Sequence, residues 1–224
     1  FRSKEDGIKD STRPMLISAV KEMHAEPIDF GIVEDDEKKI KEILKKSIEN
    51  VDLLVVTGGT SVGGMDLVPE CINDVFNPGI VIHGIAMRPA RTTGIAFHGK
   101  KPILMVSGFP VASYISFTFL FRHFIKKFYS IKEMPELKIK GKLERRVANV
   151  PGTTSFVRVI VKRHGDEYMI EPLRLTGSGI LSTLTKANGI LVIDEKSEGY
   201  DEGQYVDVIL TQPLEDDKNG KNIP

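Results

Sequence analysis

Apolar positions change their period twice along the chain, and the changes mark out its elements. Leu16, Ala19, Val20 and Met23 recur at helical spacing, with Thr12 placed to cap the helix and Pro14 in its first turn. PIDFGIV (27–33) then reads as a short strand, bounded by the acidic pair Asp35-Asp36. The next stretch carries Ile40, Ile43, Leu44, Ile48 and Val51 on one stripe with charge around the rest, an amphipathic helix. DLLVV is almost continuously apolar, the pattern of a strand buried on both faces, and it runs into TGGTSVGG. Beyond that turn the pattern predicts a helix over Asp66–Phe76 and a strand over Gly79–Met87. Two strands joined at His98-Gly99-Lys100 and a long helix over Pro110–Phe128 complete the first part.

From Met134–Lys142 onward the texture is different. LKIKGKLERRVA, SFVRVIVKR, EYMIEPLRL, GILVID and YVDVILTQ alternate apolar and polar residues between Gly, Pro and Asp turns, and no long helical period remains. Helix–strand alternation followed by short strands predicts two domains. Residues 1–134 form a doubly wound α/β domain around a mostly parallel sheet, 135–213 form a small all-β domain resembling a barrel, and 214–224 form a polar tail.

Charge narrows the chemistry. Lys plus Arg number 31, as do Asp plus Glu, so no global field points to nucleic acid or an anionic membrane, and any anion site is local. A lone Cys71, within an apolar helix, excludes an intrachain disulfide, reads as packing, and fits a reducing cytoplasm. His24, His83, His98, His123 and His164 show no metal-ligand spacing and read as structural or exposed. No apolar run approaches the roughly 18 residues of a membrane span. The opening FRSKEDGIKDST carries no signal-peptide core, and its lack of methionine is read as a longer natural chain that has lost its start.

A buried strand running into T-G-G-T-S-x-G-G and then a helix is where open α/β sheets bind ligands. Gly58, Gly59, Gly63 and Gly64 let the backbone approach a ligand, and Thr57, Thr60 and Ser61 add hydroxyl donors, so the turn is a candidate anion site. A tight βα turn without a ligand has the same composition. The Lys-Ser/Thr of a Walker loop and the G-x-G-x-x-G spacing of a dinucleotide turn are both absent.

The segment TGGTSVGGMD, with Asp66 at its end, resembles the GG-x-S-x-G-x-x-D segment of the molybdopterin molybdenumtransferase family. Further stretches follow in the family's order: DST-R at Asp10–Arg13, GIVEDD at Gly31–Asp36, GIAMRPAR at Gly84–Arg91, SGFPVAS at Ser107–Ser113, SFVRV at Ser155–Val159 and TGSGILS at Thr176–Ser182. The likeness runs from Asp10 to about Leu210 and implies a pterin-binding α/β domain followed by the family's C-terminal β domain.

It also implies a reaction: molybdate is inserted into adenylylated molybdopterin as the adenylate is hydrolysed, with Mg2+ as the cation. Under that likeness Asp66 and Asp35 are the catalytic and metal-binding carboxylates. Asp10, Thr57, Gly58, Gly59, Thr60, Ser61, Arg88 and Pro110 contact the pterin phosphate, and Arg91, Arg158 and Ser178 bind the oxyanion. From the residues alone, Asp66, Asp35 and Asp36 also read as helix caps, Arg88 and Arg91 as a solvated basic edge, and Arg158 and Ser178 as barrel surface. The family's homodimers and its small-molecule pterin substrate are the expected partners, with no nucleic acid and no membrane, and a chain lacking the N-terminal region is expected to be inactive alone.

Several positions depart from the family: Thr12 for Asn, Gly64 for an acid, Gly84 for a lysine, Ala90-Arg91-Thr92 for the G-K-P turn, Ser107 for a proline and Ala112 for a serine. Two readings stay open. One is a working molybdenumtransferase with a drifted oxyanion pocket. The other is a divergent pterin- or nucleotide-phosphate-binding or scaffold protein without metal insertion.

Overall fold

The computed structural model describes residues 10–60, 66–132, 136–173 and 181–214, and the backbone of 2–3 and 7–8. Its chain divides into two compact units, Phe1–Ile85 with Ala90–Ile131, and Ala86–Pro89 with Lys132–Pro224.

The first unit opens with the short strands β1 (Arg2–Ser3) and β2 (Gly7–Ile8), paired antiparallel, and the helix α1 (Thr12–Glu22). Asp10 rather than Thr12 caps α1, its Oδ1 accepting from the amides of both Thr12 and Arg13 at 3.0 Å. Pro27–Val33 makes no strand, against the expectation from its apolar content; Gly31 N–H turns back to Asp29 Oδ1 at 2.9 Å instead. Helix α2 (Glu37–Glu49) is capped by Asp36, whose carboxylate accepts from Lys39 N–H at 3.0 Å. Strand β3 (Leu54–Thr57), helix α3 (Val68–Val75) and strand β4 (Pro78–His83) follow.

The predicted strand over Gly79–Met87 breaks after His83. Met87 instead opens β5 (Met87–Arg88), which joins the sheet of the second unit. Strands β6 (Gly94–His98) and β7 (Lys101–Val106) form the hairpin expected at Gly99. The helix expected over Pro110–Phe128 is α4 (Pro110–Ser116), a π-helical turn over Phe117–Phe121 and α5 (Arg122–Phe128) in one run.

The sheet order is β3-β7-β6-β4. Only β3 and β7 are parallel, so the sheet is mixed rather than mostly parallel, because the hairpin reverses the chain between β6 and β7. Side chains along β7 alternate strictly. Ile103 and Met105 face a core with Leu54, Ile40, Leu44 and Ile48 from α2 and Val68, Cys71 and Ile72 from the α3 region. Leu104 and Val106 face the other, with Leu16 of α1 and Phe117 and Phe121 of the π turn. The result is a three-layer α/β/α unit in which α1 and α2 cover opposite faces.

The second unit is a closed barrel. Strands β8 (Lys138–Leu143), β10 (Thr154–His164), β11 (Glu167–Pro172), β12 (Gly189–Ile193) and β14 (Tyr205–Leu210) pair in the order β10-β11-β8-β14-β12 and return to β10. Strands β9 (Val147–Ala148) and β13 (Gly199–Tyr200) make a small flap, and α6 (Ser182–Lys186) precedes β12. Val157, Val159, Val161, Ile170, Leu191 and Val208 fill the interior. Asn188 is buried, and its side-chain amide pairs with both the N–H and the C=O of Val161, so one side chain extends the β10–β12 ladder by a rung. No helix among the described residues is long and apolar enough to cross a membrane.

Cys71 has no exposed surface, and burial pushes its thiol pKa up, so it packs rather than reacts. Native protein at pH 8 should therefore label with a disulfide reagent at least about 100-fold more slowly than unfolded protein. Equal rates would contradict the burial.

Candidate functional site

The parallel register of β3 and β7, from Leu54 opposite Ile103 to Thr57 opposite Val106, makes the loops after both strands leave the sheet side by side at its carboxyl edge. Gly58 N–H donates to Val106 O at 3.1 Å. Gly58, at φ +80°, then lies back to back with Gly108, where a Cβ would sit 3.4 Å from Gly58 Cα. Gly59 has φ +60°, and a Cβ there would come within 2.9 Å of Val68 Cγ2, so both backbone conformation and a neighbouring side chain disfavour a larger residue.

A third segment reaches the same edge. Thr12 Oγ1 donates to Gly108 O at 2.8 Å, which pins the start of α1 to the loop after β7. Arg13 holds that start in place, with Nε on Asp10 at 3.2 Å and Nη1 on Asp29 at 2.8 Å. The Gly31 N–H and then Arg13 draw the Asp29 carboxyl below its ordinary range, and Asp29 raises Arg13 in turn.

Thr57, Gly58 and Gly59 lie at this edge. Thr60 does not offer its hydroxyl to a ligand: it is buried, and Oγ1 donates to Val106 O at 3.1 Å. Its carbonyl meets His83 Nε2 at 3.0 Å, so Nε2 carries the hydrogen and His83 braces the glycine turn from β4. Asp10 is occupied as the cap of α1 and partner of Arg13. Pro110 opens α4 without an N–H, so it shapes the loop after β7 and donates nothing. Ser61 and Ser178 lie outside the described residues.

The two carboxylates expected to hold a metal each precede one of two neighbouring helices, α2 and α3. Asp35 precedes α2 and is exposed, while Asp36 takes the capping role. Asp66 is half-buried, one residue before the α3 N-cap position, which is Leu67. Cys71 Sγ lies 3.8 Å from Glu37 O, so the first turns of α2 and α3 are neighbours. No group of three or more His, Cys, Asp or Glu is gathered among the described residues. Two carboxylates remain a fitting set for Mg2+, which retains waters and takes substrate phosphates.

Arg88 and Arg91 are both exposed but fall in different units, Arg88 on β5 and Arg91 in the first unit, where its carbonyl accepts from Ile85 N–H at 3.0 Å. Arg158 is not a barrel-surface residue. It is 2% exposed, Nε donates to Thr183 Oγ1 at 3.1 Å, and no carboxylate among the described residues pairs with it. Burial lowers its pKa. A guanidinium held this way favours an incoming anion.

A family profile described as a probable molybdopterin binding domain matches residues 4–127, more than half the chain. The chain belongs to that molybdopterin-binding family. A second profile, the MoeA C-terminal region (domain IV), matches residues 140–211 of this MoeA-like chain. A putative molybdopterin biosynthesis protein of Methanocaldococcus jannaschii is 36% identical over 209 residues, covering 93% of this chain and 49% of the relative. A molybdopterin molybdenumtransferase of Bacillus subtilis is 26% identical over 217 residues, covering 97% and 49%. The solved molybdopterin biosynthesis MoeA protein of Pyrococcus horikoshii superposes with a TM-score of 0.75 at 28% identity, over 96% of this chain and 51% of that one. The MoeA-like chain thus spans about half the length of the curated relatives it matches.

Two departures from the family acquire a physical description. Ser107 replaces a rigid proline, and its Oγ accepts from Phe109 N–H at 3.2 Å, closing the turn by a side-chain bond instead. Ser113 Oγ donates to Ser107 O, which fixes the same turn from α4. Ala112 is buried, 3% exposed, and offers no hydroxyl. His83, read from the sequence as structural or exposed, is structural, and only the β4–β6–β7–β3 order brings it to Thr60.

Gly59→Ala should cost at least about 1 kcal/mol more stability than Gly58→Ala in urea unfolding, since only Gly59 adds a steric clash to an unfavourable φ. Equal losses would remove the Val68 contact from the account. Arg158→Met should leave stability unchanged or raise it by about 1–4 kcal/mol, as expected for a buried charge that no carboxylate among the described residues pairs with. A loss above about 2 kcal/mol would mean the charge is already paired in the folded chain.

Proposed function

We propose that the MoeA-like chain serves molybdenum cofactor biosynthesis by holding the phosphates of adenylylated molybdopterin at the carboxyl edge of β3 and β7. The observation that carries this is the back-to-back packing of Gly58 and Gly108, which clears side chains from two adjacent loops where backbone N–H groups can meet a phosphate. In this reading the whole protein inserts molybdate and releases AMP. Asp35 and Asp66 hold Mg2+, which supplies charge neutralisation at the adenylate phosphate. Arg158 contributes its buried charge to the oxyanion, and Arg88 and Arg91 supply cationic donors. Assembly as a homodimer in the cytoplasm belongs to the same reading.

The drifted turn at Ser107 and Ala112 favours a second reading, pterin-phosphate binding without metal insertion, because an absent hydroxyl removes about 1–3 kcal/mol from a charge-assisted bond to the oxyanion. Titrating the intact protein with adenylylated molybdopterin and molybdate separates the two. Molybdate-dependent AMP release is expected, with Asp66→Ala abolishing release while the pterin still binds. Binding without release in the unmodified protein leaves the second reading standing, and no binding removes both.

A further inference from the structure

The loop after β7 is tied down at four successive carbonyls, and it presents an aromatic ring to solvent. Val106 O accepts from Gly58 N–H and Thr60 Oγ1, Ser107 O from Ser113 Oγ, Gly108 O from Thr12 Oγ1, and Phe109 O from Ser113 N–H. The bonds come from the glycine turn, from α1 and from α4, so three elements hold one short loop. Phe109 N–H is fixed as well, donating to Ser107 Oγ at 3.2 Å, and Pro110 follows as the first residue of α4. The Phe109 backbone is thus held in an extended conformation, φ −79° and ψ 124°, while the residue is 59% exposed.

A single exposed hydrophobic residue needs no explanation by itself. What sets Phe109 apart is its lack of a ring partner. Among the described residues, Phe128 stacks on Phe124 with centroids 5.5 Å apart, and Tyr129 packs edge-on against Phe128 and donates its hydroxyl to Asp52 O. Exposed Tyr205 donates to Glu167 at 2.6 Å. Phe109 has no ring contact among the described residues, although its backbone is among the most firmly held in the unit.

Its place supplies the chemistry. Phe109 directly follows Gly108, which lies against Gly58 in the rim assigned to the phosphate. A group attached to a phosphate on that rim extends over the neighbouring surface, where the ring stands. A flat heterocycle there can stack on a phenyl face, and a loop already tied down loses little freedom when it does.

We propose that Phe109 is the stacking platform for the planar nitrogen heterocycle joined to the bound phosphate, adenine or pterin, and so a specificity residue of the site. The inference rests on the phosphate reading of the Gly58–Gly108 rim. Backbone amides hold the phosphate whatever it carries, and Phe109 selects phosphates that carry a ring over bare sugar phosphates.

The test is calorimetric titration of the intact protein with AMP, with molybdopterin lacking the adenylate, and with ribose 5-phosphate, which has a phosphate and no ring. Phe109→Ala should weaken AMP or molybdopterin by about 5- to 100-fold, the span for one lost ring stack, and leave ribose 5-phosphate within about 2-fold. The arm that weakens identifies the ring on Phe109. Phe109→Tyr, which keeps the ring face, should bind within about 3-fold of the unmodified protein. Phe109→Leu keeps apolar bulk without a ring and should show the same selective loss, in case alanine loosens the loop. Unchanged affinity for both ring-bearing probes overturns the proposal. An equal loss for ribose 5-phosphate overturns it too, since Phe109 would then only shape the loop. If no probe binds the unmodified protein, the phosphate rim itself is removed and the stacking role falls with it.

Discussion

Everything assigned to the first unit depends on the parallel ladder between β3 and β7. Parallel strands end at the same edge, so the loops that follow them must share space there, and only small residues permit the sharing. Gly58 and Gly108 satisfy that condition, and the remaining contacts are built on it. Gly58 N–H and Thr60 Oγ1 both use Val106 O, Thr12 uses Gly108 O, and Ser113 uses Ser107 O. Thr12, Thr60 and Ser113 thus spend their hydroxyls on holding backbone rather than on an anion.

The second unit treats charge differently. Its interior is filled by alternating Val, Ile and Leu on five strands, and a polar side chain is admitted where it completes a ladder, as Asn188 does. Arg158 is the exception, a buried cation whose described partner is a neutral hydroxyl. Retaining such a group opposes stability, and a function that uses an anion gives a physical reason to keep it.

Much of this is legible in the sequence, for reasons that can be named. The amphipathic period of α2, the hairpin at Gly99 and the alternation of the barrel strands each report burial directly, and burial decides those elements. The glycine turn is legible because its residue type is enforced by backbone conformation and by Val68. Pro27–Val33 misleads because its side chains are those of a strand while its backbone turns back at Gly31 to Asp29. Thr60 and Asp10 mislead because a hydroxyl or carboxylate in a loop serves a ligand or the backbone equally well, and only distances to Val106, Thr12 and Arg13 separate these. His83 and the burial of Arg158 require tertiary neighbours that no local spacing encodes.

The excursion through Met87–Arg88 bears on how this chain can be divided. The polypeptide crosses between its units at Ile85/Ala86, at Pro89/Ala90 and at Ile131/Lys132. Met87 is 5% exposed, and it and Arg88 pair with Thr154 and Ser155 at the start of β10. Cleavage at Ile131 would cut the last of these crossings and leave a strand of the barrel's sheet still carried by the other piece. The two units are thus separate in their cores but interleaved in their chain. Recombining either with a foreign partner would require moving Ala86–Pro89 out of the middle of one piece and into the other.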